Sequence, residues 1–418
     1  MNSIVGLIKK FTKTQTIKDA FLVSLGMGLS TILSALSIFL IARFLGPSGF
    51  GIYTTALGIA IIITDAIDLA ISSSIINFAS GSKQSSKEYI KHGFQLKLIL
   101  GLTAGLLFAV LSKLVSPLIH LNLSQPLLIS SLFIPVVFLY RFPRSILQSE
   151  KRFLPDSSIE IVASLLRLVF ILIFYYFLSL TVIKALTAYL LGAAGAFLFG
   201  SLFISWKFLK VKVKLETKKS FSSFQKWLTL GFILAAVHGR IDTVILLRLA
   251  GPEVTGIYQA AFRFFLPVLS LTAILSLIFA PRFASFPNQA IAKKYLKKTL
   301  LLSLAISSLV LLIIPLAPFL IRLIFGQGYL PAIVPTQILA VGFFAFMIGA
   351  PLSAHLIYSA KRTQAFFTIN LIQLILIVGL DLLLVPRLGA SGAALAVSIT
   401  LITINSLMAF LAFSYAES

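Results

Sequence analysis

Ionisable side chains stand inside long apolar stretches of this chain, where a buried charge costs several kcal/mol and therefore needs a reason. The densest group is His238–Gly239–Arg240–Ile241–Asp242. At helical spacing His238 and Asp242 share a face, and Arg240 points elsewhere. Arg167 and Arg263 stand alone in two further apolar stretches. A guanidinium fork matches phosphate-like oxygens two at a time. Arg240, Arg263 and Arg167, with His238 beside them, are therefore candidate anion contacts, and Asp242 can orient Arg240 or His238. The competing reading is structural, an internal Arg–Asp or His–Asp pair or a snorkelling arginine. Asp65 and Asp68 share one helical face, and Asp381 is a third intramembrane acid. Such acids either counter a buried base or carry a coupling proton or cation. Lys97 and Lys184 lie near the ends of apolar stretches and are expected to snorkel.

No P-loop, HExxH, CxxC or catalytic triad is present, so no catalytic residue is assigned. There is no cysteine, and four scattered histidines make no metal site. The chain is not expected to be an enzyme or to hold a cofactor. Energy for any transport must come from an H+ or Na+ gradient, the membrane potential or substrate flux.

The elements that position these residues follow from composition. Of 418 residues 59% are hydrophobic and 11% charged, with 35 bases against 12 acids and a net charge of +23. A soluble domain is about 25% charged, so the composition points to an integral membrane protein. Twelve apolar stretches of about bilayer length are expected, near 20–42, 52–79, 94–116, 126–143, 158–180, 183–206, 227–249, 255–281, 299–321, 331–358, 366–386 and 389–414. Pro143 and Pro155 are expected to break up the junction of the fourth and fifth. The connecting loops alternate in charge. One set holds twenty-five bases, among them Lys9, Lys10 and Lys13, Arg141 and Arg144, the seven lysines from Lys207 to Lys226, and Lys361 and Arg362. The other set holds five. The positive-inside rule puts the richer set and both termini in the cytoplasm of a multi-pass plasma-membrane protein. The +23 thus reads first as topology rather than as a nucleic-acid surface. The lysines of 207–226 can also hold anionic phospholipids.

The two halves repeat. Ala42–Tyr53 reads ARFLGPSGFGIY and Leu247–Tyr258 reads LRLAGPEVTGIY. SEKR at Ser149–Arg152 matches SAKR at Ser359–Arg362, and LGAAGA at Leu191–Ala196 resembles LGASGAA at Leu388–Ala394. Six stretches per half give a parallel repeat, with a six-helix N-lobe over 1–210, a cytoplasmic linker over 211–226 and a six-helix C-lobe over 227–418. Each Gly-Pro ends one helix and starts the next. Tyr53 and Tyr258 are expected as interfacial anchors.

The repeated hairpin resembles the first hairpin of the polysaccharide-exporter branch of the multidrug/oligosaccharidyl-lipid/polysaccharide (MOP) flippase superfamily. RSILQSEKRF at Arg144–Phe153, FAPRFAS at Phe279–Ser285, IRLIFGQGY at Ile321–Tyr329 and VPRLGASGAALA at Val385–Ala396 resemble later family segments. The resemblance implies an all-α fold of two pseudo-symmetric lobes around a central cavity. It also implies a flippase that moves a polyprenyl-pyrophosphate-linked oligosaccharide from the cytoplasmic to the outer leaflet by alternating access. The candidate arginines and His238 would then meet the pyrophosphate, and a polysaccharide polymerase and glycosyltransferases would be partners. The alternative is a cation-coupled multidrug or metabolite antiporter of the same superfamily. A net basic cavity favours the first and a net acidic one the second. A polymerase or ligase would need a large external loop, and no linker on that side exceeds about fifteen residues.

Overall fold

A computed structural model describes residues 15–80, 83–120, 123–286, 288–360 and 363–414. Lys9, Lys10, Lys13, Lys361 and Arg362 lie outside them. Every regular element among the described residues is helical, as required where no water is at hand to satisfy the backbone. Nine helices among them are long and apolar enough to cross a membrane, or ten if one bent pair is counted. Three of these, Gly28–Ala79, Leu215–Arg263 and Thr368–Ser414, run 47 to 52 residues. At 1.5 Å per residue each is more than twice the roughly 30 Å hydrocarbon core.

Each of the three is kinked at a glycine of positive φ, at Gly46 (67°), Gly251 (85°) and Gly389 (55°). Gly46 and Gly251 also share ψ near 180°, a region that side chains exclude. The proline that follows each sits where a helix restarts and its missing N–H costs nothing. The repeated Gly-Pro therefore has one backbone geometry in both halves.

The described residues form two compact units, one drawn from 15–45 and 52–240 and the other from 46–51 and 241–414. In the first unit, α1 (Gln15–Ala79, apart from 46–51) is followed by α2 (Lys83–Ile119), α3 (Ser124–Ser149), α4 (Phe153–Leu178), α5 (Val182–Ser201) and α6 (Leu215–His238). Helix α3 packs on α2 and α5, and α4 on α5. Pro143 lies inside α3 and Pro155 in the first turn of α4, so the junction narrows to Glu150–Arg152. Arg141 and Arg144 are consequently helical residues rather than loop residues. The expected linker over 211–226 is also largely helical, since α6 begins at Leu215, after a 3-10 turn at Trp206–Lys210 that precedes the linker.

The second unit holds α7 (Ile241–Arg263), α8 (Leu266–Ser285), α9 (Gln289–Leu311), α10 (Ile313–Ile324), α11 (Ile333–Ile348), α12 (Ala350–Ala354) and α13 (Thr363–Ser414). Its helices are interrupted repeatedly. α9 and α10 meet at a 43° bend, and a π turn follows α12 at His355–Ser359. The expectation that His238 and Asp242 share a helical face does not hold. α6 ends at His238, Gly239–Arg240 form a turn with Arg240 N bonded to the Val237 carbonyl at 3.1 Å, and α7 begins at Ile241.

Within this unit the two Gly-Pro segments meet. A Cβ on Gly51 would overlap the Pro252 carbonyl oxygen, and a Cβ on Gly256 would overlap that of Pro47. The contact is reciprocal because the sequences are, and it needs glycine at both positions. Tyr53 and Tyr258 are 1% and 0% exposed beside it, so they are core residues and not interfacial anchors. Overpacking of this kind costs roughly 1–3 kcal/mol. Gly51→Ala and Gly256→Ala are each expected to lower the melting temperature of the purified protein accordingly. Gly231→Ala, with nothing within 4 Å of the added methyl, should leave it unchanged.

Candidate functional site

Helical spacing sets out the charges of the first unit. α1 presents Asp65 and Asp68 three residues apart, α3 presents Arg141 and Arg144 three apart, and α4 presents Asp156 and Glu160 four apart with Arg167 seven further on. The two pairs of acids meet the pair of arginines. Arg141 Nη2 donates to Asp65 Oδ1 at 2.8 Å, and its Nη1 lies 3.5 Å from Asp68 Oδ2. Arg144 donates from Nε to Asp156 Oδ1 at 2.7 Å and from Nη1 to the Tyr140 hydroxyl at 3.1 Å and to Glu160. Tyr140 donates to Glu160, and Gln148 Nε2 to Asp156 Oδ2 at 2.9 Å.

Asp68 has a second base. Lys97 pairs with it and donates to Ser72 Oγ at 2.8 Å, and neither the Lys97 nor the Asp68 side chain has any exposure. Lys97 therefore does not snorkel. Its ammonium is closed inside the helix bundle because a carboxylate from α1 meets it there.

Arg167 is held differently. Its Nη2 donates to Ser34 Oγ at 2.9 Å and to Ser164 Oγ at 3.2 Å, and its guanidinium lies 4.3 Å from the Tyr189 ring centre. Close packing of α5 makes this possible, since Gly192 sits against the Ala163 carbonyl and Arg167 Cβ. Among the described residues no carboxylate pairs with Arg167, and none pairs with Arg240, whose guanidinium makes no hydrogen bond either.

Asp65, Tyr140, Arg141, Arg144, Glu160, Arg167, Tyr189 and Arg240 line one cavity of about 280 Å³. Four arginines face two carboxylates, so the lining carries two surplus positive charges. Arg141 and Arg144 are engaged by acids, and the surplus resides on Arg167 and Arg240. A low-dielectric site with uncompensated, preoriented guanidinium groups can bind an anion through charge-assisted bonds.

Of the residues singled out from the sequence, Arg167, Arg240 and Asp65 come together here. Asp68 adjoins the cavity through Arg141 but is committed to Lys97. His238, the last residue of α6, does not line the cavity. Arg263, Asp242 and Asp381 belong to the second unit. Arg263 ends α7 beside the turn at Phe264–Phe265. Asp242 accepts the Thr243 amide at 2.7 Å and the Tyr258 hydroxyl at 2.5 Å. Asp381 is fully buried on α13, and neither carboxylate oxygen has a hydrogen-bond partner among the described residues. Sequence reasoning missed Tyr140, Arg141, Arg144, Glu160 and Tyr189. In a chain with only twelve acids, the available signal was Asp156 and Glu160 at one-turn spacing, shortly after two arginines at one-turn spacing.

A family model of polysaccharide biosynthesis proteins matches residues 40–334. The teichuronic acid biosynthesis protein TuaB of Bacillus subtilis is 23% identical over 302 residues, 70% of this chain, and the match spans 62% of TuaB, less than two thirds of its length. The putative O-antigen transporter of Shigella flexneri is 22% identical over 391 residues, covering 90% of this chain and 93% of the relative. Among solved structures, the lipid II flippase MurJ in an inward closed conformation is similar at a TM-score of 0.76 and 20% identity, over 94% of this chain and 87% of that one. At that identity the likeness is one of fold.

The pairing of Lys97 predicts its own test. Removing one partner of a buried pair costs roughly 3–5 kcal/mol, because the other is left uncompensated. Lys97→Met should destabilise the purified protein strongly, and Lys97→Met with Asp68→Asn should recover much of the loss. A thermal-unfolding double-mutant cycle measures the coupling. An additive result would remove the pair from the account.

Proposed function

Because the chain belongs to the polysaccharide biosynthesis protein family, we propose that it is a flippase of the MOP superfamily that carries a polyprenyl-pyrophosphate-linked oligosaccharide from the cytoplasmic to the outer leaflet of the plasma membrane. It is a multi-pass membrane transporter and not an enzyme. The finer reading rests on one observation, the two acid-free arginines, Arg167 and Arg240, in a cavity among membrane helices. A diphosphate supplies the negative charge that this lining lacks. The lipid tail remains in the bilayer while the polar head passes by alternating access. A drug antiporter for cations would need the opposite sign, and the lining is basic. Both termini face the cytoplasm on this reading. The exposed lysines of 207–226 meet anionic phospholipids there, and a polymerase and glycosyltransferases act before and after the transfer.

A hydrogen bond to a charged group contributes about 1.5–3 kcal/mol. Arg240→Ala and Arg167→Ala should therefore each weaken binding of a polyprenyl pyrophosphate by about 10- to 100-fold and abolish flipping in liposomes, with membrane insertion intact. Normal flipping by Arg240→Ala would reduce that residue to packing.

The coupling ion is proposed to act at Asp381. Its buried carboxylate has no hydrogen-bond partner among the described residues and lies within electrostatic reach of Asp242. An uncompensated carboxylate in a dry site favours a proton or Na+. Asp381→Asn should remove the stimulation of flipping by an imposed H+ or Na+ gradient while leaving gradient-independent exchange. Undiminished stimulation would exclude Asp381 from coupling.

A further inference from the structure

A second cavity of the first unit, about 590 Å³, shares a wall with the arginine-lined one, and Arg144 and Glu160 line both. Its other polar groups are Ser30, Thr31, Gln148, Asp156 and Ser157, and Phe153 supplies an aromatic face. The two chambers differ in charge. The smaller has four arginines against two carboxylates. The larger has Arg144 against Asp156 and Glu160, an excess of one negative charge. An anion is thus drawn to the smaller chamber and repelled from the larger.

Size sorts ligands in the same direction. Ligand pockets run to roughly 300–1,000 Å³. At about 280 Å³ the smaller chamber suits a compact anionic group and is too small for an oligosaccharide, while the larger lies well inside the range. Its lining suits a polyol. An ionised carboxylate offers about four lone-pair sites. Asp156 spends one oxygen on Arg144 and the other on Gln148, so lone pairs remain for hydroxyl donors. Serine and threonine hydroxyls both donate and accept, and the Phe153 ring suits the apolar face of a pyranose. At the shared wall, Arg144 uses Nε and Nη1 on its partners, and its Nη2 makes no hydrogen bond among the described residues.

We propose that this larger chamber binds the first sugar of the lipid-linked glycan, an uncharged hexose or N-acetylhexosamine, while the diphosphate occupies the arginine chamber. Arg144 stands at the junction of phosphate and sugar. The assignment rests on the diphosphate reading above and adds a selectivity to it, since the excess negative charge disfavours a uronic acid at this position.

The test is equilibrium binding to the purified full chain. The probes are undecaprenyl pyrophosphate, bare or carrying one glucose, one N-acetylglucosamine or one glucuronic acid. A site that hydrogen-bonds sugar hydroxyls discriminates strongly against a ligand lacking them. At least one neutral sugar should tighten binding by about 10-fold or more over the bare lipid, and glucuronic acid should not. Thr31→Trp, which fills the chamber, should erase that gain and leave the bare lipid bound within about 2-fold. Absence of any sugar gain, a gain that survives Thr31→Trp, or a preference for glucuronic acid overturns the chamber assignment alone. Failure of the bare lipid to bind, or binding indifferent to Arg240→Ala, overturns the diphosphate reading and the chamber with it.

Discussion

Charge inside a membrane must be neutralised locally, and this chain has few acids with which to do it. Twelve acids against 35 bases mean that the placement of each carboxylate decides which base is spent and which is left over. In the first unit the carboxylates of α1 and α4 engage Lys97, Arg141 and Arg144. The pairs tie α1 to α2 and α3, and α3 to α4, and they fix the walls of the cavity. What remains is Arg167, seated on hydroxyls and the Tyr189 ring, and Arg240 in its turn. The site is defined as much by where acids are missing as by where arginines are present.

The two units meet the demands of the bilayer differently. In the first, α2 to α5 run without interruption and hold the charged pairs at fixed spacing. In the second, the chain turns at Phe264–Phe265, bends between α9 and α10 and adds a π turn after α12. Every interruption frees backbone groups that neighbouring helices must satisfy. Interrupted helices also bring helix ends, with their partial charges, to membrane depth. Asp242 stands in the first turn of such a helix, where the amide of Thr243 and the hydroxyl of Tyr258 receive its carboxylate. A carboxylate at a helix N-terminus is stabilised by the local dipoles.

How legible this was depended on whether the signal was local. The Gly-Pro hairpins were plain in the sequence because positive φ and reciprocal close approach admit only glycine, so the repeat had to be written in residue identity. Arg167 and Arg240 stood out because a charge in an apolar run is locally anomalous. Lys97 did not, because its partner Asp68 arrives from another helix, and a lysine near the end of an apolar run reads as snorkelling until that partner is known. Arg141 and Arg144 were hidden by the charge alternation that sets topology. Bases just beyond an apolar run count as loop residues in such a reading, and α3 in fact continues past Pro143 to Ser149. The tyrosines of the repeat show the same limit. An aromatic beside a turn suits the interface equally well from sequence, and the structure buries both.

Two departures from neutrality then stand together. The first unit keeps two arginines without acids, and the second keeps Asp381 with both oxygens unpartnered among the described residues. A fold selected for stability alone would remove each of them, since replacing buried charge by well-packed apolar groups is often neutral or favourable. On the proposed reading each is completed by a mobile species of opposite sign, an anion for the arginines and a cation for the carboxylate. Neutrality then holds in the loaded protein and is lost in the empty one. An equilibrium between conformations can be shifted only by a ligand that distinguishes them, and an uncompensated buried charge distinguishes strongly, because burial of the empty site costs far more than burial of the filled one. The same scarcity of acids that leaves these charges unpaired would thereby set which of its states can close.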